Sequence, residues 1–290
     1  MLSLSDKKVI VGSVAIPPYT NYGNRLIERS TLHLLGLPDT TPRFSAFRKI
    51  DDELLEFINA HEFLVITGCT TLQDEPGHQM CFDAQFDKIK IRTVCLGGSF
   101  YCNAATVPSL RIPRLYNTPI GARDPWTADV LAKNNIPCFL IGCPTLLDHT
   151  LASDWVDIPD GHILVSSSPE LNVDYCKYIG SRRVVYIKHD SSSTGEELED
   201  YSVFAGASLV ITGRLHAALP AIARGIRTRF YGPRYWAPYL RDYCWGDIRY
   251  SLLEYLGIGF NGDADLPYPI RKLQYLRNDF EQWLAQVIGK

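Results

Sequence analysis

The residues best suited to chemistry stand in the stretch TGRLHAALPAIARG, residues 212–225. Arg214 offers a planar fork of donors that matches a carboxylate or phosphate. His216 can give or take a proton near neutral pH. Both follow Gly213, where the apolar run 209–212 ends and a run of small apolar residues begins. That order predicts a strand, a tight turn and a helix over 215–224. The pair then sits at a strand's carboxyl end and a helix's amino end, with Leu215 between them. Unpaired backbone N–H groups there favour an anion. An arginine paired with a carboxylate and a histidine in the core would use the same residue types. Placement at the turn favours the chemical reading.

Other segments carry further candidates. In GARDPWTADVLAKNNIPCFLIG, 121–142, Arg123 directly precedes Asp124 and Pro125, an N-cap with proline at the first helical position. Arg123 is thus a second cation beside a helix amino terminus. In NYGNRLI, 21–27, Asn21 and Asn24 flank a glycine that opens a helix, and they either cap it or hold sugar hydroxyls. In VSSSPEL, 165–171, Ser167 and Ser168 follow a strand and suit phosphate oxygens or an N-cap. In IKHD, 187–190, Lys188 and His189 add positive charge at a strand end. In TGCTTLQDEPGH, 67–78, Asp74, Glu75 and His78 offer a base toward a hydroxyl, with a plain polar loop as the other reading. The eight cysteines contain no Cys-x-x-Cys pair, so no metal ribbon or thioredoxin-like motif is expected.

Short apolar runs must position these residues. Strands are predicted at 8–15, 63–67, 91–96 and 138–141, and a second set at 162–166, 184–187, 209–212 and 228–231. Several are continuously apolar, as in parallel sheets covered on both faces. Helices are predicted at 24–35, 51–59, 126–134, 215–224 and 272–287. Thr194 and Glu197 have the spacing of a capping box and predict a further helix start. Strand–helix alternation over 290 residues implies an α/β fold of two Rossmann-like domains. The polar segment 146–161 separates them, giving domains 1–150 and 160–290. Ligands of such sheets bind beyond the carboxyl ends of the strands, so the two domains are expected to face each other across a cleft that holds the site.

The chain is 46% hydrophobic and 21% charged, with net charge −3. No global basic field is present to recruit nucleic acid or an acidic membrane, so a cationic site must be local. No secretory signal or integral membrane segment is visible. A cytoplasmic protein is expected, and peripheral attachment to a membrane-bound substrate is compatible with the sequence.

These motifs, in this order, resemble the polysaccharide pyruvyl transferase family. The resemblance runs from NYGNRLI through GARDPWTADVLAKNNIP and LIGCPTLL to LVITGRLHAALPAIARGIRTRFYG. It implies a GT-B-like fold with the acceptor on the amino-terminal side and the donor on the carboxyl-terminal side. It implies phosphoenolpyruvate as donor, a saccharide or lipid-linked saccharide as acceptor, and a pyruvate ketal as product, with no cofactor and no metal. Arg123, Arg214 and His216 match the family's donor-site positions. The family's first motif ends in an acid where this chain has Asn24, and Pro220 lies within the helix after Arg-Leu-His. Two other readings use the same architecture: a nucleotide-sugar glycosyltransferase, and a non-catalytic saccharide-binding protein.

Overall fold

The computed structural model describes residues 3–15, 22–69, 72, 85–100, 109–148, 151–166, 180–188, 196–197, 201–231, 245–258 and 267–289. The first sheet is made of β1 (Val9–Ser13), β2 (Arg43–Ser45), β3 (Phe63–Cys69), β4 (Arg92–Gly98), β5 (Ile120–Ala122) and β6 (Cys138–Leu140). Its order is β2-β1-β3-β4-β5-β6, and every pairing is parallel. Each residue of β1 is buried, because helices cover both faces. β2 and β5 are three residues each, too short for an apolar run to signal them.

Among the described residues of this unit four α-helices precede the second sheet: α1 (Tyr22–Leu35), α2 (Asp52–Asn59), α3 (Pro125–Lys133) and the short α4 (Pro144–Leu147). Side-chain caps fix two of their starts. Asp51 accepts a hydrogen bond from the Leu54 N–H, and Asp124 accepts one from the Thr127 N–H with Pro125 at the first helical position.

The second sheet contains β7 (His162–Ser166), β8 (Val184–Lys188), β9 (Glu196–Glu197), β10 (Ala207–Thr212) and β11 (Arg227–Phe230). Its order is β11-β10-β7-β8-β9, again all parallel. The α/β architecture with two parallel sheets is therefore present as expected. The helix start expected from Thr194 and Glu197 is overturned. Glu196 and Glu197 pair with Ile187 and Lys188 instead. Pairing on the open edge of β8 engages their backbone groups, which a side-chain spacing alone does not do.

Both sheets reverse direction once. In the first, the chain moves from β1 to β2 and then returns to place β3 on the other side of β1. In the second, it moves from β7 outward to β9 and returns with β10 on the other side of β7. The carboxyl ends of β1/β3 and β7/β10 are thus the two topological switch points, where open α/β sheets form their ligand crevices.

Helix α5 (Leu215–Ala223) joins the two units. Ala217, Ala218, Leu219, Ala221, Ile222 and Ala223 are all fully buried. Leu215, Ala218, Leu219 and Ile222 share a core with Ile27, Leu146 and Leu147 of the first unit. Ala221 packs with Leu164 and Val210 of the second sheet and with Leu26 of α1. A helix apolar on every side must be covered on every side, and α5 is. The connector between the sheets is tied to the end of α5. Ala152 N–H donates to the Ala223 carbonyl at 3.2 Å and Val156 N–H to the Gly225 carbonyl at 2.7 Å. Gly225 has φ +73°, and a Cβ there would stand 2.5 Å from the Asp154 carbonyl oxygen.

The last two helices, α6 (Trp245–Leu256) and α7 (Ile270–Ile288), return to the first unit. Leu252, Leu253, Leu276, Phe280 and Trp283 enter its core, and Trp283 Nε1 donates to the Pro119 carbonyl at 2.7 Å. Among the described residues no helix is long and apolar enough to cross a membrane.

Candidate functional site

The amino ends of α1 and α5 meet. Each follows the carboxyl end of a strand at a switch point, β1 for α1 and β10 for α5. The contact is between Gly23 and His216. A Cβ built on Gly23 would lie 2.6 Å from His216 Nδ1, 2.8 Å from its Cβ and 3.0 Å from its Cγ. Only a residue without a side chain lets the imidazole occupy this place. The glycine looks, in sequence, like a helix opener; its function is to admit the ring of the other unit. Two helix amino termini in contact favour negative charge beside them.

Arg214 occupies the N-cap of α5, with φ −112° and ψ 124°. A guanidinium has no acceptor, and α5 receives no side-chain cap. The Ala217 and Ala218 N–H groups both turn back to the Arg214 carbonyl, at 3.2 and 3.1 Å. The turn is held by Thr212, whose Oγ1 accepts from the Arg214 N–H at 2.9 Å. Arg214 and His216 are both half-buried, and Arg214 Nε and His216 Nε2 lie on their buried sides. Leu215 is buried, and what it can offer a ligand is its backbone.

Pro220 is the sixth residue of α5 and fully buried. Its ring nitrogen carries no hydrogen, so the helix supplies no i+4 donor to the His216 carbonyl. The proline therefore changes the hydrogen bonding of the histidine's own peptide group.

Arg123 lies elsewhere along the first sheet. It follows β5, its backbone N–H donates to the Gly98 carbonyl at 2.8 Å, and it is 4% exposed. β5 is three strand spacings from β1, roughly 14 Å at about 4.8 Å each. Its Nε is 3.8 Å from Asp124 Oδ2, an ion pair inside the protein rather than on its surface. Asp124 is fully buried and also accepts from the Thr127 N–H, the Thr127 hydroxyl and the Ser251 hydroxyl of α6. Burial pushes its carboxyl above the ordinary carboxylate value, while Arg123 and the three hydrogen bonds pull it down.

Asn24 is inside the first turn of α1 rather than at its cap. Its Nδ2 donates to the Val14 carbonyl at 3.0 Å, tying the helix to the end of β1. Val14 N–H in turn donates to Thr67 Oγ1 of β3 at 3.1 Å, across the switch point. Asn24 Oδ1 is buried without a hydrogen-bond partner among the described residues. Asn21, Asp74, His78, Ser167, Ser168 and His189 lie outside the described residues, as does the side chain of Lys188. Among the described residues no group of three or more His, Cys, Asp or Glu side chains is placed to hold a metal ion. Of the three cysteines within or beside apolar runs, Cys95 and Cys143 are buried, and Cys138 is half-buried.

A family model described as polysaccharide pyruvyl transferase matches residues 21–234. That span contains Gly23, Arg123, Arg214 and His216. No curated protein is detectably similar in sequence. Among solved structures, an uncharacterised protein from Klebsiella pneumoniae is 14% identical, with 83% of this chain and 87% of that one covered and a TM-score of 0.45. A UDP-GlcNAc 2-epimerase from Methanocaldococcus jannaschii, in complex with UDP-GlcNAc and UDP, is 11% identical over 94% and 98% of the two chains, with a TM-score of 0.43. The Neisseria meningitidis UDP-GlcNAc 2-epimerase, bound to UDP-GlcNAc, is 10% identical over 91% and 83%, with a TM-score of 0.41. At these identities and scores the likeness extends no further than the general course of the chain.

Proposed function

The chain belongs to the polysaccharide pyruvyl transferase family, and from that premise we propose that it transfers the pyruvyl group of phosphoenolpyruvate to a pair of saccharide hydroxyls. One observation carries this reading: the amino ends of α1 and α5 meet where Gly23 packs on His216, with Arg214 at the N-cap of α5 beside it. Phosphoenolpyruvate brings a carboxylate and a phosphate on a small carbon frame. Such an anion matches directed N–H groups and a guanidinium fork.

His216, as general acid, delivers a proton to the enol methylene, and the neighbouring carbon becomes electrophilic. An acceptor hydroxyl attacks that carbon and loses its proton. The carbon–oxygen bond to phosphate then breaks, releasing inorganic phosphate, and a second hydroxyl closes the ketal. Proton transfer of this kind is worth about 10²- to 10⁴-fold in rate. Arg214 binds the donor anion. Arg123 is proposed as a second donor cation, acting from the carboxyl end of β5. Asn24 stands on the acceptor side, beside the end of β1. The acceptor is a free or lipid-linked saccharide.

Thermal stabilisation by phosphoenolpyruvate, set against a panel of nucleotide sugars, tests the donor. A ligand that binds only the native state at 100 times its dissociation constant adds about 2.7 kcal/mol. Stabilisation by phosphoenolpyruvate and not by nucleotide sugars supports the proposal. The reverse pattern makes the protein a nucleotide-sugar enzyme instead, and no shift with either leaves a saccharide-binding protein.

A further inference from the structure

Ser166 ends β7 at the switch point of the second sheet and pairs in register with Thr212 of β10. Residues two apart on a strand share a face, and directly paired residues of a ladder project to the same side. Ser166 therefore shares the face of Leu164, and Thr212 that of Val210. Leu164 and Val210 pack in one cluster with Ala221 of α5 and Leu26 of α1. The Ser166 hydroxyl is thus on the face covered by α1 and α5. It lies one pleat beyond Leu164, toward the ends where Gly23 meets His216.

That hydroxyl is 0% exposed, and no hydrogen-bond partner reaches its Oγ among the described residues. A buried hydroxyl left without a partner costs free energy that an alanine in the same place would not. Its neighbour in register shows the contrast, since the Thr212 hydroxyl is engaged by the Arg214 backbone.

We infer that Ser166 is a ligand-binding residue whose hydroxyl donates a hydrogen bond to an oxyanion held between the amino ends of α1 and α5. The ligand chemistry is a phosphate or carboxylate oxygen. Naming phosphoenolpyruvate as its carrier rests on the function proposed above; the oxyanion contact itself does not.

Titration calorimetry with inorganic phosphate and with phosphoenolpyruvate, on the wild type and on Ser166→Ala, tests the inference. A hydrogen bond to a charged group corresponds to about tenfold or more in affinity. Ser166→Ala is expected to bind both anions at least about tenfold more weakly, with a ligand-free melting temperature equal to or above that of the wild type. Should alanine lower that temperature, Ser166→Cys carries the same test, since it leaves no cavity and replaces a strong donor by a weak one. Wild-type affinity in a folded variant overturns the inference, and so does a wild type that binds neither anion. A wild type that binds phosphate through Ser166 but never releases phosphate from phosphoenolpyruvate leaves the inference standing and removes the proposed reaction.

Discussion

Replacing Gly23 with alanine tests whether His216 is held where the account needs it. The new Cβ would stand 2.6, 2.8 and 3.0 Å from Nδ1, Cβ and Cγ of His216, against 3.4 Å for ordinary contact. The shortfalls are about 0.8, 0.6 and 0.4 Å. Rotating the imidazole relieves the first and third. It does not relieve the second, because the His216 Cβ is fixed by the backbone of α5. The two helices must part by about 0.6 Å.

Overpacking of this kind costs about 1–3 kcal/mol, and alanine's better helix propensity returns up to about 1 kcal/mol. The net loss of stability is therefore about 0–3 kcal/mol on these same figures. A reacting group misplaced by about 1 Å loses on the order of 100-fold in rate, so a shift of about half that lowers turnover by about 10-fold or more. Phosphate release from phosphoenolpyruvate with a saccharide acceptor reads turnover, and thermal melting reads stability. The expected result is a melting temperature lowered by no more than a few degrees together with turnover reduced well beyond what the unfolded fraction explains. Unchanged turnover in a folded Gly23→Ala protein would refute the reasoning, because the imidazole would then not depend on its neighbour.

Other perturbations separate the remaining parts. Arg214→Ala is expected to abolish measurable phosphoenolpyruvate binding, whereas His216→Ala keeps binding by calorimetry and loses about 10²- to 10⁴-fold in turnover; wild-type activity in both sinks the assignment. Asp124→Ala is expected to cost about 3–5 kcal/mol in denaturant unfolding, because it strands the Arg123 guanidinium inside the protein. Asp124→Asn, which keeps an acceptor for the Thr127 N–H, loses less. Asp148 is a buried carboxyl pushed up from 3.8 by burial, with His33 pulling it down. A raised native value means its stability contribution is fully present below 3.8 and is lost as pH rises through the native value. Asp148→Asn should therefore gain on the wild type in melting temperature as pH rises from about 4 to about 8, and a constant difference across that range contradicts it.

The sheets and the main helices were legible because their signals are local. Continuous apolar runs marked β1, β3, β4, β7 and β10, and proline after aspartate marked the start of α3. β2, β5 and β9 were not legible, since two or three residues carry no periodicity and their pairing is decided by strands distant in sequence. The Arg214–His216 site was legible as a strand-to-helix turn. Its other half was not. Gly23 reads as a helix opener, and only the docking of α5 against α1 reveals that it makes room for His216. The same docking explains the small apolar residues of 217–223, which pack against two units rather than one. For Arg123, the cation before a capped helix was legible, but its buried ion pair with Asp124 was not, because burial of both side chains depends on helices distant in sequence. The amphipathic pattern of 272–287 likewise showed a helix without showing which sheet it covers.

His216, set where two helix amino termini meet, is proposed to drive pyruvyl transfer from phosphoenolpyruvate. Single-turnover release of inorganic phosphate from phosphoenolpyruvate, with a saccharide that presents a pair of neighbouring hydroxyls, measures this directly when wild type and His216→Ala are compared at saturating donor. The account predicts phosphate release matched by formation of a saccharide ketal in the wild type, and a rate lower by about 10²- to 10⁴-fold in the variant despite donor binding. Equal rates in the two proteins, or a wild type that leaves phosphoenolpyruvate intact while nucleotide sugars stabilise it, would contradict the account.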